Sequence, residues 1–539
     1  MTIGPIERAL LRAHPRAIVH LRERHSARAL GLVLGAGVSK AVGFPSWREL
    51  VERIARTPDV RGDHLIAAAG DVSETAKTQM LLQHYRTKRL DRLGVPASAR
   101  TLRKIHGEWR RIVQAALYEG TPGSAAELAA AHPYLSSLVP VVADSPMTIT
   151  YNFDDTVERL LHLEEPPREN AYGRRFETIW DAALQCRRDV AAIYHPNGYL
   201  PSNLLEHPSE HLVFSEDTFA DQLIESMAGH HASLLHHLAR TTCVFVGLSL
   251  QDETLRHLLR QSARINPGQF HYYVSWRSPG QTRDPETEKL IRDANFDVYN
   301  LITLFLEDGE IAALGRLLTA SAAEFKHAAE EEGVGLRYVY YLTGAIGAGK
   351  TTAVSYLGSL LTYEEWTEPR HELLGKPWPE LTPAQRDEVD AWILKQFVNK
   401  NLALIDKETG IMVVDRPPLD PLSFTASHEV AEKARRMLSA FSPGLSHRRI
   451  VPGKVIMLEG LAAEFEARVI GRHKESDATL IQDLQDKLRG IYPGTVGVET
   501  SGHSVHHVVK AVARSIHLDD YRSADLHKRL QDISVSGME

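Results

Sequence analysis

Cysteine is scarce in this sequence: Cys186 and Cys243 are the only two in 539 residues. Two thiols cannot supply the paired C-x-x-C motifs of a tetrahedral zinc site, nor a disulfide framework. Both read as small core residues in a reducing compartment. Long apolar runs are missing as well, and no stretch approaches the ~20 apolar residues of a membrane span. The opening MTIGPIERALLRAHPRAIVHLRERHSARAL alternates charge and has no signal-peptide core. The expectation is a cytoplasmic protein without membrane association. An excess of one charge is lacking too. The 62 Lys and Arg against 69 Asp and Glu leave a net charge of -7. No long basic or base-reading stripe appears, so direct nucleic-acid binding is not expected. Repeats of solenoid period and low-complexity tracts are absent. What remains is a chain 43% hydrophobic and 24% charged, enough for packed cores and long enough for roughly two or three domains.

Apolar runs alternate with helical spacing along most of the chain. Strand-like segments are Ala29 to Leu34, Met147 to Tyr151, Val190 to Tyr194, Thr241 to Val246 and His271 to Trp276. Between them, Glu7 to Arg28 and Trp47 to Ala55 carry helical patterns, as does Glu74 to Leu128 with breaks at Gly94 to Ser98 and Gly120 to Ser124. Such alternation predicts a parallel sheet covered by helices on both faces. Ala322 to Arg337 is charged, ends in glycines and reads as a helix and hinge. Further strands at Tyr338 to Leu342, Gly410 to Val414, Lys454 to Leu458 and Gly497 to Thr500 predict a second α/β unit. The expected organisation is therefore 1–321, hinge 322–337, 338–517 and a polar, frayed tail over 518–539.

In the first half, GLVLGAGVSKAVGFPSW joins a buried strand to a helix through Gly35, Ala36, Gly37 and Ser39, followed by Gly43, Phe44 and Pro45. The glycines let the backbone turn tightly against a phosphate. T-I-T-Y-N-F-D follows with Thr150, Asn152 and Asp154, then I-Y-H-P-N-G-Y-L-P with His195 and Asn197, then F-V-G-L-S-L-Q-D with Gly247, Ser249 and Asp252. An amide such as Asn152 can orient water or ribose hydroxyls, and a histidine can take a proton near neutral pH.

These four segments, in this order, resemble the sirtuin fingerprint over roughly residues 25 to 310. The resemblance implies a Rossmann-like parallel sheet that binds NAD+ through Gly35, Ala36, Gly37, Ser39, Pro45, Asp154, Gly247, Ser249 and Asp252, with Asn152 and a histidine in the catalytic role. Sirtuins place that histidine immediately before a glycine. Here Asn197 holds that place and His195 lies two residues earlier, on the same side of an extended strand. Either residue can serve. Protein-deacylating sirtuins also carry a four-cysteine zinc module, which this chain cannot build. Water then replaces an acyl-lysine as acceptor. Zinc-free domains of this kind, fused to a sensing domain, resemble NAD+-depleting effectors of bacterial antiphage defence. That role leaves room for a homo-oligomer and a phage-derived trigger.

In the second half, YVYYLTGAIGAGKTT contains G-x-x-x-x-G-K-[ST], with Gly344, Gly347, Gly349, Lys350, Thr351 and Thr352. A strand before it and a helix after it are the context of a P-loop. Backbone N–H groups surround the phosphates of ATP or a dNTP, Lys350 reaches the outer phosphates and Thr351 ligates Mg2+. I-M-V-V-D-R-P-P then ends a strand with Asp415 and Arg416, and Arg468 and Arg472 stand four apart on one helix face. These segments resemble thymidylate and deoxynucleoside kinases over roughly 338 to 517. The resemblance implies that Asp415 and Arg416 serve the acceptor and that Arg468 and Arg472 meet the transferring phosphoryl group. Between them, Glu368, Arg370, Trp378, Arg386 and Gln396 mark an acceptor region whose ligand the sequence does not name. Two functions are expected to compete: an NAD+ hydrolase regulated by a nucleotide-binding kinase-like domain, and a working nucleotide kinase regulated by NAD+ or ADP-ribose. A non-enzymatic assembly of two binding folds is disfavoured by the intact P-loop lysine and by the lid arginines.

Overall fold

The buried apolar runs form strands whose two faces are both covered, as parallel sheets require. The structure, a computed structural model, describes residues 3–94, 97–163, 176–180, 190–205, 208–210, 212–227, 232–250, 252–280, 284–376, 380–441, 449–470 and 477–537. It contains two sheets, each entirely parallel among the described residues. The chain divides into two compact units. The first comprises Met1–Leu10, Arg24–Ser262 and His271–Phe325, and the second Leu11–Glu23, Ala263–Phe270 and Lys326–Glu539. One linear boundary does not describe this division. The change of unit near residue 325 falls inside the helix Ala322–Glu331, and two short segments from the first half belong to the second unit.

The first unit holds β1 (Leu30–Leu34), β2 (Met147–Thr150), β3 (Phe176–Ile179), β4 (Ala191–Tyr194), β5 (Thr242–Val246), β6 (His271–Trp276) and β7 (Leu301–Leu306), in the order β3-β4-β2-β1-β5-β6-β7. Leu34 is level with Thr150 of β2 on one side and Val246 of β5 on the other. The loops that leave β1, β2 and β5 are therefore forced together at one end of the sheet. That is the crevice outside the carboxyl ends of the strands where open α/β sheets bind ligands. Val33, Ile149, Phe245, Leu255 and Leu259 share one core cluster beneath it.

The second unit holds β8 (Arg337–Gly344), β9 (Leu361–Tyr363), β10 (Gly410–Asp415), β11 (Lys454–Glu459) and β12 (Val496–Glu499), in the order β12-β11-β8-β10-β9. Asp415 is level with Leu342, two residues before the P-loop opens. Val339, Tyr341, Met412, Val414 and Met457 share a core cluster with Leu526, Leu530 and Ile533. Those last three lie on the helix Leu526–Ser536. The expectation of a frayed tail is corrected there, because an i, i+4, i+7 apolar stripe packs into the core.

The long helical region divides into Glu74–Leu93, Ala99–Tyr118 and Ala125–Ala131, broken where glycine and serine were read as breaks. Ser73, Ser98 and Ser124 cap these helices through their side chains. Glu7 to Arg28 is two helices, Pro5–Ala13 and Pro15–Ser26, because proline cannot continue the first. The strands β3, β7 and β9 were not anticipated. β7 is buried on both faces, so its sequence LITLFL shows no alternation. β9 has three residues at the sheet edge.

Candidate functional site

In the first unit, the loops after β1 and β5 meet backbone to backbone. Gly35 N–H donates to the Val246 carbonyl at 3.0 Å and Gly37 N–H to the Gly247 carbonyl at 2.9 Å. A Cβ on Gly35 would lie 2.6 Å from the Gly247 oxygen, and Gly247 itself adopts φ 68°. These glycines are thus required by loop-on-loop packing, whatever ligand the crevice takes. Ala36 and Gly37 face solvent, whereas Ser39 is buried on the helix Ala36–Lys40.

The loop after β2 carries Asn152. Its side-chain amide donates to the Gly35 carbonyl at 3.0 Å and to the Ser39 hydroxyl at 2.9 Å. Ser39 in turn bonds the buried Asp154 carboxyl, which also accepts from Thr156 N–H at 3.1 Å. Burial raises the Asp154 pKa, and the bonds from Thr156 and Ser39 partly offset this. Asn152, Asp154, Gly35 and Ser39 are therefore brought together as one polar cluster.

His195 and Asn197 do not share an extended strand. β4 ends at Tyr194, and residues 195–198 form a turn closed by Gly198 N–H donating to the His195 carbonyl at 3.0 Å. His195 is fully buried. Its Nδ1 lies 2.8 Å from the Asn152 carbonyl oxygen and its Nε2 lies 2.8 Å from Oε1 of Glu158. Burial alone would lower its pKa, but the charge and hydrogen bond of Glu158, with the bond to Asn152, raise it. Half-buried Asn197 donates to the Tyr151 carbonyl at 3.0 Å and accepts from Gln222 at 3.1 Å. Two adjacent carbonyls, 151 and 152, are thereby held by the two candidates. Glu158 was not singled out from the sequence; it lies on the helix Thr156–Leu161 that follows β2.

Asp252 caps the helix Glu253–Ile265, its carboxylate accepting from Leu255 N–H at 2.9 Å, and both Asp252 and Ser249 are exposed. Pro45 is half-buried and leads into a capping box in which Ser46 and Glu49 exchange bonds.

In the second unit, Gly344, Gly347 and Gly349 all have positive φ, which explains the glycine spacing of the loop. Lys350 is buried and donates to the carbonyls of Gly344 at 2.7 Å and Ala345 at 2.9 Å. Burial, and then Arg416, push its pKa down to about 8. Thr351 Oγ1 donates to Asp415 Oδ2 at 2.6 Å. The other Asp415 oxygen, Oδ1, is buried with no hydrogen-bond partner among the described residues. A hydroxyl beside an orphaned carboxylate oxygen is a hard-oxygen donor set that fits Mg2+, which keeps water and phosphate as its remaining ligands.

Arg416 adopts φ 64°. Its Nε donates to Glu365 at 2.6 Å and its Nη1 to Asp420 at 3.4 Å. Asp420 also accepts from Thr343 at 2.8 Å and Tyr492 at 3.0 Å. Lys400 donates to the Asp415 carbonyl at 2.7 Å, and burial pushes its pKa down to about 8. Three carboxylates, Glu365, Asp415 and Asp420, thus face three cations, Lys350, Lys400 and Arg416. Glu365, Lys400 and Asp420 were not singled out from the sequence. Gln396 is fully buried and holds Thr367 and Glu368 through its carbonyl oxygen. Arg370 is exposed and bonds the Leu374 carbonyl, Glu368 pairs with Lys395 at 2.8 Å, and Arg386 is half-buried.

A cavity beside the P-loop is lined by Gly347, Gly349, Thr352, Arg468, Thr500 and His503. Arg468 donates to the Thr500 carbonyl at 2.9 Å, so it forms part of this cavity's wall. Arg472, Trp378 and Cys186 lie outside the described residues. Cys243 is buried in β5, where burial raises its thiol pKa.

No curated protein matches the chain. Among solved structures, it is similar to a deoxyadenosine kinase from M. mycoides with dCMP and dCDP bound, at 14% identity and TM-score 0.25. That match covers 33% of this chain and 97% of the kinase. It is also similar to a shikimate kinase from Acinetobacter baumannii in complex with shikimate, at 15% identity and TM-score 0.22, over 34% of this chain and 94% of that one. Residues 146–299 match the SIR2-like domain, a span that runs from β2 through β6 and includes Asn152, His195 and the turn from Gly247 to Asp252. The chain therefore carries a SIR2-like domain, which points to a sirtuin-type, NAD-related function.

Proposed function

We propose that the first unit hydrolyses NAD+ to ADP-ribose and nicotinamide, and that the second binds ATP or a dNTP with Mg2+ and regulates that reaction. The observation that carries the reading is the Asn152 amide, which lies in the SIR2-like span 146–299 and is tied to Gly35 and Ser39, just after β1. In the reaction the bond between nicotinamide and ribose breaks, and nicotinamide leaves with the electron pair. Water adds to the oxocarbenium carbon and releases a proton. Such a centre needs an oriented water more than a strong base. Asn152 supplies an amide already fixed in place, at the end of the sheet where the loops after β1, β2 and β5 meet. Depletion of NAD+ in this way suits an antiphage effector that responds to a phage-derived trigger, in a monomer or a homo-oligomer. Incubation of the purified chain with NAD+, followed by chromatography of released nicotinamide, tests the reading. Asn152→Ala is expected to abolish release in a chain that still folds, with stability lowered by the two hydrogen bonds removed, and full activity in that variant would remove Asn152 from the reaction.

A second reading has its own support in the six-charge cluster around Lys350. Here the second unit transfers a phosphoryl group to a nucleoside or nucleotide, and NAD+ or ADP-ribose regulates it. Asp415 and Thr351 would hold Mg2+, which neutralises phosphate charge. Glu365, held by Arg416, offers a carboxylate that can take the acceptor's hydroxyl proton. Transfer of labelled phosphate from ATP to a panel of nucleosides and nucleoside monophosphates separates the two readings.

A further inference from the structure

We propose that Glu158 and His195 are a positioning pair that fixes Asn152, and that His195 does not take the proton released in the reaction. The inference rests on the NAD+-hydrolase reading of the same site. The Asn152 carbonyl oxygen can only accept, so the His195 Nδ1 facing it at 2.8 Å carries a hydrogen. On the other side of the ring, Nε2 and Glu158 Oε1 are 2.8 Å apart. One proton lies on that line. Whether the pair is imidazolium with carboxylate or imidazole with carboxylic acid, neither ring nitrogen keeps a lone pair for water or a ribose hydroxyl. The pair is also sealed, with side-chain exposures of 0% for His195 and 5% for Glu158. The Tyr199 ring packs on the imidazole at 4.8 Å between centroids, and Thr178 donates to Glu158 Oε1 at 3.2 Å. Asp154 is the other charged group acting on the ring. Taking a proton from substrate would require breaking one of two buried hydrogen bonds and stranding its partner.

What the pair does control is the path of the chain at Asn152. The His195 N–H fixes the carbonyl of the residue whose amide reaches Gly35 and Ser39, and Asn197 fixes the carbonyl before it. A run of bonds from Thr178 through Glu158, His195 and Asn152 to Ser39 therefore joins β3, the helix Thr156–Leu161, the turn after β4, the loop after β2 and the helix after β1. Asn152 is held from its backbone by a pair that has no access to the crevice.

The test measures kcat, KM and the pH profile of nicotinamide release, together with ADP-ribose affinity by calorimetry, for His195→Ala, His195→Asn and Glu158→Gln. Asparagine keeps an N–H close to the place of Nδ1 but cannot act as a base. His195→Ala is expected to lower kcat by on the order of 10²-fold, the scale of a small misplacement of a reacting group. ADP-ribose affinity should fall about tenfold, the scale of one lost hydrogen bond. His195→Asn should restore most of both. Glu158→Gln, which can donate to a neutral Nε2 and so preserve the geometry, should leave the limbs of the pH profile in place. Equal losses in His195→Asn and His195→Ala, with both variants folded, would overturn the proposal. So would a limb that moves to lower pH in Glu158→Gln. If the unsubstituted chain releases no nicotinamide, the hydrolase reading fails by itself. The positioning pair is then judged on ADP-ribose affinity, where equal weakening in the two His195 variants, or no weakening in either, rejects it.

Discussion

Replacing Gly247 by alanine probes the contact between the loops after β1 and β5 most directly. Gly247 has φ 68°, and an L-residue held in that region costs about 1–2 kcal/mol. The added Cβ would also lie 2.6 Å from Val38 N and 2.8 Å from Val38 Cγ2. A backbone nitrogen cannot rotate away, so the helix Ala36–Lys40 has to shift, an overpacking that costs about 1–3 kcal/mol. Together these give a loss of about 2–5 kcal/mol. Gly120→Ala is the matched control, because Gly120 has φ 78° but nothing within 4 Å of its virtual Cβ. It should lose only the conformational part, about 1–2 kcal/mol. Urea unfolding followed by tryptophan fluorescence reads both losses, and ADP-ribose calorimetry reads the displacement of Gly35 to Ser39. Gly247→Ala is expected to be the less stable variant and to bind ADP-ribose more weakly. Equal destabilisation by the two substitutions would refute the claim that the loops depend on this contact.

Lys350→Ala removes an ammonium that donates to the carbonyls of Gly344 and Ala345 at the start of the P-loop. It should weaken Mg-ATP binding by roughly 10–100-fold, the worth of a charge-assisted hydrogen bond; unchanged affinity by calorimetry would contradict the P-loop assignment. If the second unit regulates the first, one of the common ribo- or deoxyribonucleotides should change the NAD+ turnover rate by roughly 5–150-fold, a coupling of about 1–3 kcal/mol. Lys350→Ala should abolish that response, and a full nucleotide screen with no effect would leave the halves independent. His132 gives a pH dependence. Its Nδ1 accepts from Leu135 N–H at 3.0 Å and Nε2 donates to the Val38 carbonyl at 2.9 Å. Burial is the main cause that pushes its pKa from 6.5 down to about 4. Across that window the unfolded chain binds more protons, so stability rises with pH and is lost on acidification, by about 3 kcal/mol from this group. His132→Asn should flatten the unfolding curve between these pH values, and superimposable curves would refute the assignment.

Most strands and both glycine loops were legible in the sequence because they are local signals. A buried apolar run, a cluster of glycines at the turn that follows it and a lysine after the last glycine need no knowledge of distant residues. Gly344 and Gly349 are the two glycines of the P-loop pattern, and both have positive φ, as does Gly347 between them. The helical region from Glu74 broke at the glycine and serine clusters for the same reason. β7 was not anticipated, although LITLFL is buried at every residue and is the same kind of apolar run that marked β1 and β5. The C-terminal helix was misread because its polar residues outnumber the Leu526, Leu530 and Ile533 stripe that packs into the core. The expectation for His195 assumed that β4 continued to residue 197, whereas the Gly198 turn ends it.

The sequence by itself determined two parallel α/β units and the two glycine-rich loops, and the pairing of β1 with β2 then brought Asn152 beside Gly35 and Ser39. The sequence also excluded a four-cysteine zinc module, because ligand number is a matter of counting. Only the tertiary structure decided which charges meet. Asp415 and Arg416 stand out as a pair in the sequence, but Glu365, Lys400 and Asp420 are ordinary charged positions until β10 is inserted between β8 and β9. Glu158 and His195 are 37 residues apart and lie 2.8 Å from each other because β4 runs beside β2. A hydrogen bond depends on the distance and direction between two atoms, and strand order fixes both, while sequence spacing fixes neither.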